Sequence, residues 1–333
     1  MNAKWRFLIF FFLCCSAILA KFHGYTINLG ELADKRAFRH DVIINAKGYS
    51  PWGYRIFHAY IVEWITNVVL DPSHDLYDVF RENVYIACRG IEMFFTFIGF
   101  QLLMEKWLTP YRALCASILF IGLHAPSFVH YWYQPSSPLD LCLWVWSIYL
   151  TLVGRFRWLI PMVLIGTINR ETSCFIILFH FALQYKREDL RPLIIRCTSL
   201  SCIWLGIFIM LRSQIPVKGV SEHTELTTLL YKNFFHGPWV LYALSFVGGW
   251  IVYPLIYFKS WPKDLQRIAY VFIPYMILIL CFGRIREVRL LLPLCIPFLP
   301  AFFLMIANIF HDDTTESLQG NRKIRLRDKR EPK

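Results

Sequence analysis

The spacing of its apolar runs constrains this chain more than anything else. Stretches such as Trp5–Ala20, Val84–Met104, Pro192–Leu211, Trp239–Phe258 and Leu290–Phe310 carry few charges and recur along nearly the whole sequence. About 20 apolar residues are what an α-helix needs to cross the hydrocarbon core of a bilayer. Lipid offers the backbone no hydrogen-bond partners, so spanning runs without a closed barrel must be helical. Charged residues make up only 17% of the chain, against about 25% in a soluble domain. The sequence therefore predicts an all-α, polytopic transmembrane helical bundle.

About ten spans are expected: Trp5–Ala20, Val84–Met104, Ala113–His124, Leu139–Val153, Trp158–Ile168, Thr172–Tyr185, Pro192–Leu211, Trp239–Phe258, Ile268–Phe282 and Leu290–Phe310. Several are short, which is tolerated where a segment is packed inside protein or borders a water-filled cavity. Trp5–Ala20 ends in a signal-like Ile18-Leu19-Ala20 but reads as an uncleaved first span. Ile56–Leu70 is apolar but interrupted by His58, Glu63 and Asn67. It is expected to be an amphipathic helix on the outer membrane surface, ended by Asp71-Pro72.

The loops then sort by charge. Lys4/Arg6, Glu105-Lys106…Arg112, Arg155/Arg157, Lys186-Arg187…Arg191, Lys259…Arg267 and the tail share one side, which the positive-inside rule makes cytoplasmic. Both termini fall on that side, in a plasma (inner) membrane. Residues 1–310 form a single transmembrane domain, with 21–83 as its first extracytoplasmic loop. Residues 311–333 form a basic tail read as disordered. The net charge of +12 is spread over loops and tail, which fits contact with membrane lipids and argues against nucleic acid. The ten cysteines form no C-x-x-C pair and read as apolar filler.

Three charged clusters interrupt or flank apolar runs: Arg39-His40-Asp41, Asn169-Arg170-Glu171-Thr172 and Arg284-Ile285-Arg286-Glu287-Val288-Arg289. In the ten-span topology all three face outward. Ionisable groups at membrane depth are costly, so their convergence on one face marks a site. Arg170, Arg286 and Arg289 have the forked geometry that binds phosphate oxygens, with Glu287 beside them. Arg55 is a further phosphate candidate. Asp41, with Asp34 second and His40 as another option, is a candidate general base. Glu171 and Asp140 are candidates to orient an acceptor or ligate a divalent cation, although no spacing fixes a metal. Asp140 also suits a helix N-terminus. Each cluster has a plainer reading: a solvated loop face for Arg39-His40-Asp41, a self-neutralising pair for Arg170-Glu171 and a lipid-facing anchor for Arg284–Arg289. Arg89 and Glu92 lie inside the second span, where they can pair one turn apart.

Gly48-Tyr49-Ser50-Pro51-Trp52-Gly53-Tyr54-Arg55, Ser137-Pro138-Leu139-Asp140, Asn169-Arg170-Glu171-Thr172 and Glu287-Val288-Arg289-Leu290-Leu291-Leu292-Pro293, in that order, resemble the bacterial multi-spanning glycosyltransferases of the GT-C type. The resemblance covers most of residues 1–310. It implies a sugar carried on a polyprenyl phosphate, a lipid or glycan acceptor and chemistry on the outer face. It also implies an acidic catalytic residue in the first outer loop, best matched by Asp41, and basic residues holding the lipid phosphate, matched by Arg170, Arg286 and Arg289. The chain lacks that family's paired acidic motif in the first loop and its large soluble C-terminal domain. Two other readings use the same residues: a transporter or flippase of a lipid-linked sugar, and a non-catalytic membrane scaffold.

Overall fold

The structure, a computed structural model, describes residues 3–28, 32–48, 52–128, 136–216, 226–285 and 287–309. The described residues are helical almost throughout and contain no strand beyond one isolated bridge between Tyr185 and Glu188. In order the helices are α1 (Ala3–Asn28), α2 (Leu32–Ile44), α3 (Phe57–Val69), α4 (Tyr77–Met104), α5 (Pro110–His124), α6 (Ser136–Leu152), α7 (Leu159–Asn169), α8 (Cys174–Gln184), α9 (Leu190–Gln214), α10 (Leu226–Phe235), α11 (Gly237–Ile256), α12 (Lys263–Phe282) and α13 (Val288–Ile309). Six of these, α1, α4, α9, α11, α12 and α13, are long and apolar enough to cross a membrane. The chain is a multi-pass helical membrane protein.

Helix α4 is the spine, packed against α1 on one side and α6 on the other. Ring contacts fill the space between them. Phe97 meets Phe12 and Phe120, and Phe120 stacks on Phe100 with centroids 4.0 Å apart. Trp144 of α6 sits among Phe175, Phe179, Phe272 and Tyr275, which fastens α6 to α8 and α12. Edge-on and offset ring pairs of this kind add roughly 0.5–1.5 kcal/mol each beyond their buried area.

Helix ends differ from the sequence expectation in an informative way. Helix α1 runs on to Asn28 and α4 begins at Tyr77, so much of the 21–83 segment is helical rather than loop. The extra turns, Tyr77–Asn83, carry Arg81 on the buried side of α4, and Tyr85 and Arg89 continue that side within the expected span. The charges Asp78, Arg81 and Glu82 hid the start of the helix from a hydropathy reading. The helix expected over Ile56–Leu70 is α3. It buries His58, Ala59, Val62 and Thr66, and exposes Tyr60, Trp64 and Val68 one to two residues further round. Leu70 leaves the helix in an extended conformation, and Asp71 Oδ1 then accepts from the Ser73 amide at 2.9 Å.

The expected break at Asn169–Thr172 is a tight helical turn. Arg170 is extended (φ −164°, ψ 141°) between α7 and a short 3₁₀ turn, Glu171–Ser173, that leads into α8. Gly166 makes the turn compact, because a Cβ there would come within 2.8 Å of the Ser173 Cβ. Thr167 and Ser173 hydroxyls meet at 3.1 Å across it.

Candidate functional site

A cavity of about 570 Å3, counting its open mouth, lies where α1 ends and α6 and α13 begin. Its polar lining comes from eight places in the chain. His23 comes from the end of α1, Arg89 and Thr96 from α4, and His124 from the last position of α5. Ser127 follows α5, Ser137 and Asp140 open α6, Arg170 is the turn residue, and Tyr275 and Arg289 complete the ring. Met93, Phe128, Leu141, Leu292 and Pro293 make the rest of the wall apolar. A mostly apolar hollow with a few convergent polar groups is the usual form of a small-molecule site.

Each charged group is held by local geometry. Asp140, on the second turn of α6, accepts the Thr172 hydroxyl on Oδ2 at 2.7 Å and faces Arg170 at 3.8 Å. Its Oδ1 is buried without a hydrogen-bond partner, as is Nε of Arg170. Arg170 reaches Ser137 Oγ at 3.4 Å, and the neighbouring Asn169 donates to the Ser136 carbonyl at 2.8 Å. The turn is thus docked on the start of α6. Arg289 sits in the 3₁₀ turn Val288–Leu290 and is paired with Glu287. Tyr275 donates to the Leu290 carbonyl at 2.9 Å, which ties α12 to that turn. His124 Nδ1 bonds the Phe120 carbonyl at 2.9 Å, which makes Nδ1 the protonated nitrogen and leaves Nε2 as the lone-pair side of the ring.

The expected site residues fall into three groups. Arg170, Asp140 and Arg289 line the cavity together. Asp140 is not the helix cap expected from its position, because α6 already starts at Ser136 and the carboxylate turns to Thr172 and Arg170 instead. Arg55 and Glu171 meet each other rather than the cavity, with Arg55 Nη2 2.5 Å and Nε 3.3 Å from the Glu171 carboxylate. This fork fixes the loop after α2 to the α7–α8 turn, and Trp204 adds a hydrogen bond to the Glu171 carbonyl at 3.2 Å. Glu287 serves Arg289, with Arg39 and Arg284 within electrostatic range. Arg286, the Tyr131–Pro135 segment, Tyr49–Pro51 and the tail 311–333 lie outside the described residues.

Asp41 does not line the cavity. It is well exposed and sits 3.6 Å from Arg81, which also pairs with Asp78 at 2.8 Å. Asp34, Arg36 and His40 share its helix, α2. Arg36 pairs with Glu82, and His40 joins a compact network. Its Nε2 meets Glu63 at 2.8 Å and its Nδ1 meets the Tyr85 hydroxyl at 2.8 Å. Asn67 and Tyr77 also approach Glu63, each at 3.2 Å. Burial pulls His40 below its ordinary pKa, against the upward pull of the Glu63 hydrogen bond, and Arg81 adds to the depression. Burial would raise Glu63, but hydrogen bonds from His40, Asn67 and Tyr77 outweigh it and hold the carboxylate below its usual range. A neutral imidazole donating to a carboxylate and accepting from a tyrosine satisfies every group.

Sequence reasoning missed Arg89, His124, Tyr275 and His23 as cavity residues. All four lie within helices, and Arg89 was paired in expectation with Glu92, which instead meets His58 of α3. Among the described residues no three His, Cys, Asp or Glu side chains gather as a metal site, and Asp41 and Asp140 are not brought together as a divalent-cation pair. The chain matches no known protein family, no curated protein and no solved structure.

Proposed function

We propose that this chain is an integral membrane glycosyltransferase that moves a sugar from a polyprenyl-phosphate donor to a lipid or glycan acceptor on the extracytoplasmic face. One observation carries the reading. Three guanidinium groups, Arg89, Arg170 and Arg289, share a single partly apolar cavity with one carboxylate, Asp140. Phosphate matches guanidinium forks, and charge that develops on a leaving phosphate is stabilised by fixed cations in a water-poor site. The GT-C resemblance supplies the donor class.

In this reading the four shorter helices α5, α6, α7 and α8 also cross or nearly cross the membrane, giving ten spans. The basic loops then lie in the cytoplasm with both termini, and the cavity opens outward, in a plasma (inner) membrane. Helix α3, with Tyr60 and Trp64 exposed, lies along the outer interface.

The catalytic base moves from Asp41 to Asp140, the carboxylate on the cavity. Its Oδ1 accepts the proton of the acceptor hydroxyl. The acceptor oxygen bonds to the anomeric carbon as the bond from that carbon to phosphate oxygen breaks. The electron pair leaves with the phosphate, where Arg170, Arg289 and Arg89 meet the added charge. A single displacement inverts the anomeric configuration. Glu171 and Arg55 hold the turn rather than the substrate.

Purified protein given a polyprenyl-phosphate sugar and a mixture of lipid and glycan acceptors should release polyprenyl phosphate, and Asp140→Asn should abolish the release. A flippase reading draws on Arg89 within the span α4. It predicts movement of the intact donor across proteoliposomes with no phosphate released, and that result would replace the present reading.

A further inference from the structure

We infer that Asn233, on the otherwise peripheral helix α10, is a positioning residue that sets the turn carrying Glu287 and Arg289. The inference rests on the anion-site reading above but concerns a residue that no part of it uses.

Helix α10 buries only two of its described side chains, Leu229 and Asn233, while Tyr231, Phe234 and Phe235 stand exposed. Asn233 is 2% exposed. It spends nearly its whole hydrogen-bonding capacity on one short stretch of backbone. The Nδ2 group donates to the Leu280 carbonyl at 2.8 Å and to the Gly283 carbonyl at 2.9 Å. Oδ1 accepts from the Ile285 amide at 3.0 Å. An Asn amide has two N–H donors and a carbonyl acceptor, so three of its four bonding positions are filled.

The groups it binds are those that a helix end leaves open. Leu280 is among the last four carbonyls of α12, which have no partner within the helix. Gly283 and Ile285 belong to the segment leaving α12 that leads, two residues later, to Glu287 and then to Arg289 on the cavity. The exit is tight: a Cβ at Gly283 would lie 2.9 Å from the Ile279 carbonyl oxygen and 3.0 Å from Leu290 Cδ1. Asn233 therefore fixes the direction of the chain where it turns from α12 toward the cavity. Tyr275 fixes the same stretch from its other end through Leu290. Two side chains thus bracket the turn, and Arg289 is presented between them.

A positioning role makes a specific energetic statement. Loss of Asn233 should cost anion affinity through Arg289 and should cost nothing once Arg289 is gone. The probe is a long-chain polyprenyl phosphate, with the uncharged polyprenol as its control, binding to full-length protein in nanodiscs. The wild type is expected to favour the phosphate. Asn233→Ala should lower phosphate affinity roughly tenfold and leave polyprenol binding unchanged, and in an Arg289→Ala background it should have no further effect. Asn233→Asp keeps the shape and the Ile285 bond but turns a repelling oxygen on the two carbonyls, so it should lose affinity in the same way; it carries the test if the alanine variant does not fold. A wild type that discriminates while both Asn233 variants bind like it, or additive losses in the double variant, would overturn the role of Asn233 alone. A wild type that does not distinguish phosphate from alcohol would overturn the anion site, and this inference with it.

Discussion

The network around His40 and the cavity around Asp140 are both built from ionisable side chains against α4, but they spend those groups differently. Around His40 both ring nitrogens are bonded, and Glu63 collects donors from His40, Asn67 and Tyr77. In the cavity, Asp140 keeps one oxygen and Arg170 one nitrogen without a partner, though both residues are largely buried. A buried polar atom left unbonded costs on the order of 1–3 kcal/mol. On the function proposed above, the open atoms of the cavity face the substrate, so the first network reads as structure and the second as a site.

The largest expected effect separates Asp41, which the sequence favoured as the base, from Asp140, the carboxylate on the cavity. Asp140→Asn should lower sugar transfer by at least ~100-fold, the usual weight of a positioned base. Asp41→Asn should change it by less than about threefold, because Asp41 is exposed and its pairing to Arg81 is of the weak surface kind. Comparable losses in both variants, at equal protein levels, would erase the distinction between network and cavity.

How far the sequence led depends on where each polar residue sat relative to an apolar run. The Asn169–Thr172 turn was legible because four polar residues break about 25 apolar ones, and a break of that kind at membrane depth has few explanations. Arg170 could be named for the same reason. Arg89 was seen inside its span but read as the partner of Glu92, and Tyr275 was obscured because it sits in mid-helix, where hydropathy averages it away. The Arg55–Glu171 fork joins residues 116 positions apart. No local pattern encodes a pairing that only the packing of α3 on α7 creates. Asn233 carried no signal at all, since its partners are backbone groups that any sequence possesses.

A smaller effect tests the closed network through pH. His40 and Glu63 both have pKa values below their ordinary ones in the folded protein. The unfolded chain then binds more protons than the folded one between the folded and ordinary values of each group, so stability rises with pH across those windows. The His40 contribution is complete above about pH 6.5 and is lost as pH falls below it, and the Glu63 contribution is lost below about pH 4.5. Melting of detergent-solubilised protein should therefore move to lower temperature between pH 7.5 and pH 5.5. His40→Gln should flatten that dependence without altering phosphate discrimination. A pH slope that survives the substitution would assign the effect elsewhere.

The smallest effect belongs to the other end of the bundle, where Lys4 bridges Glu105 at 2.7 Å with 41% of the lysine side chain exposed. Geometry alone would rank this contact with the Arg55–Glu171 fork, but solvent decides otherwise. An exposed ion pair gains little because water screens it and two long side chains lose freedom to form it, leaving about 0–1 kcal/mol. Glu171 with Arg55 is more deeply set, at 29% and 11% exposure, so removing either partner strands a charge. Lys4→Ala should thus leave the melting temperature nearly unchanged, and raising the salt should remove what difference exists. Arg55→Ala should lower it clearly and keep doing so at high salt. If the two substitutions proved equally mild, the turn that carries Arg170 would be held by its packing on α6 through Asn169 and Thr172, and the fork would join the surface pairs.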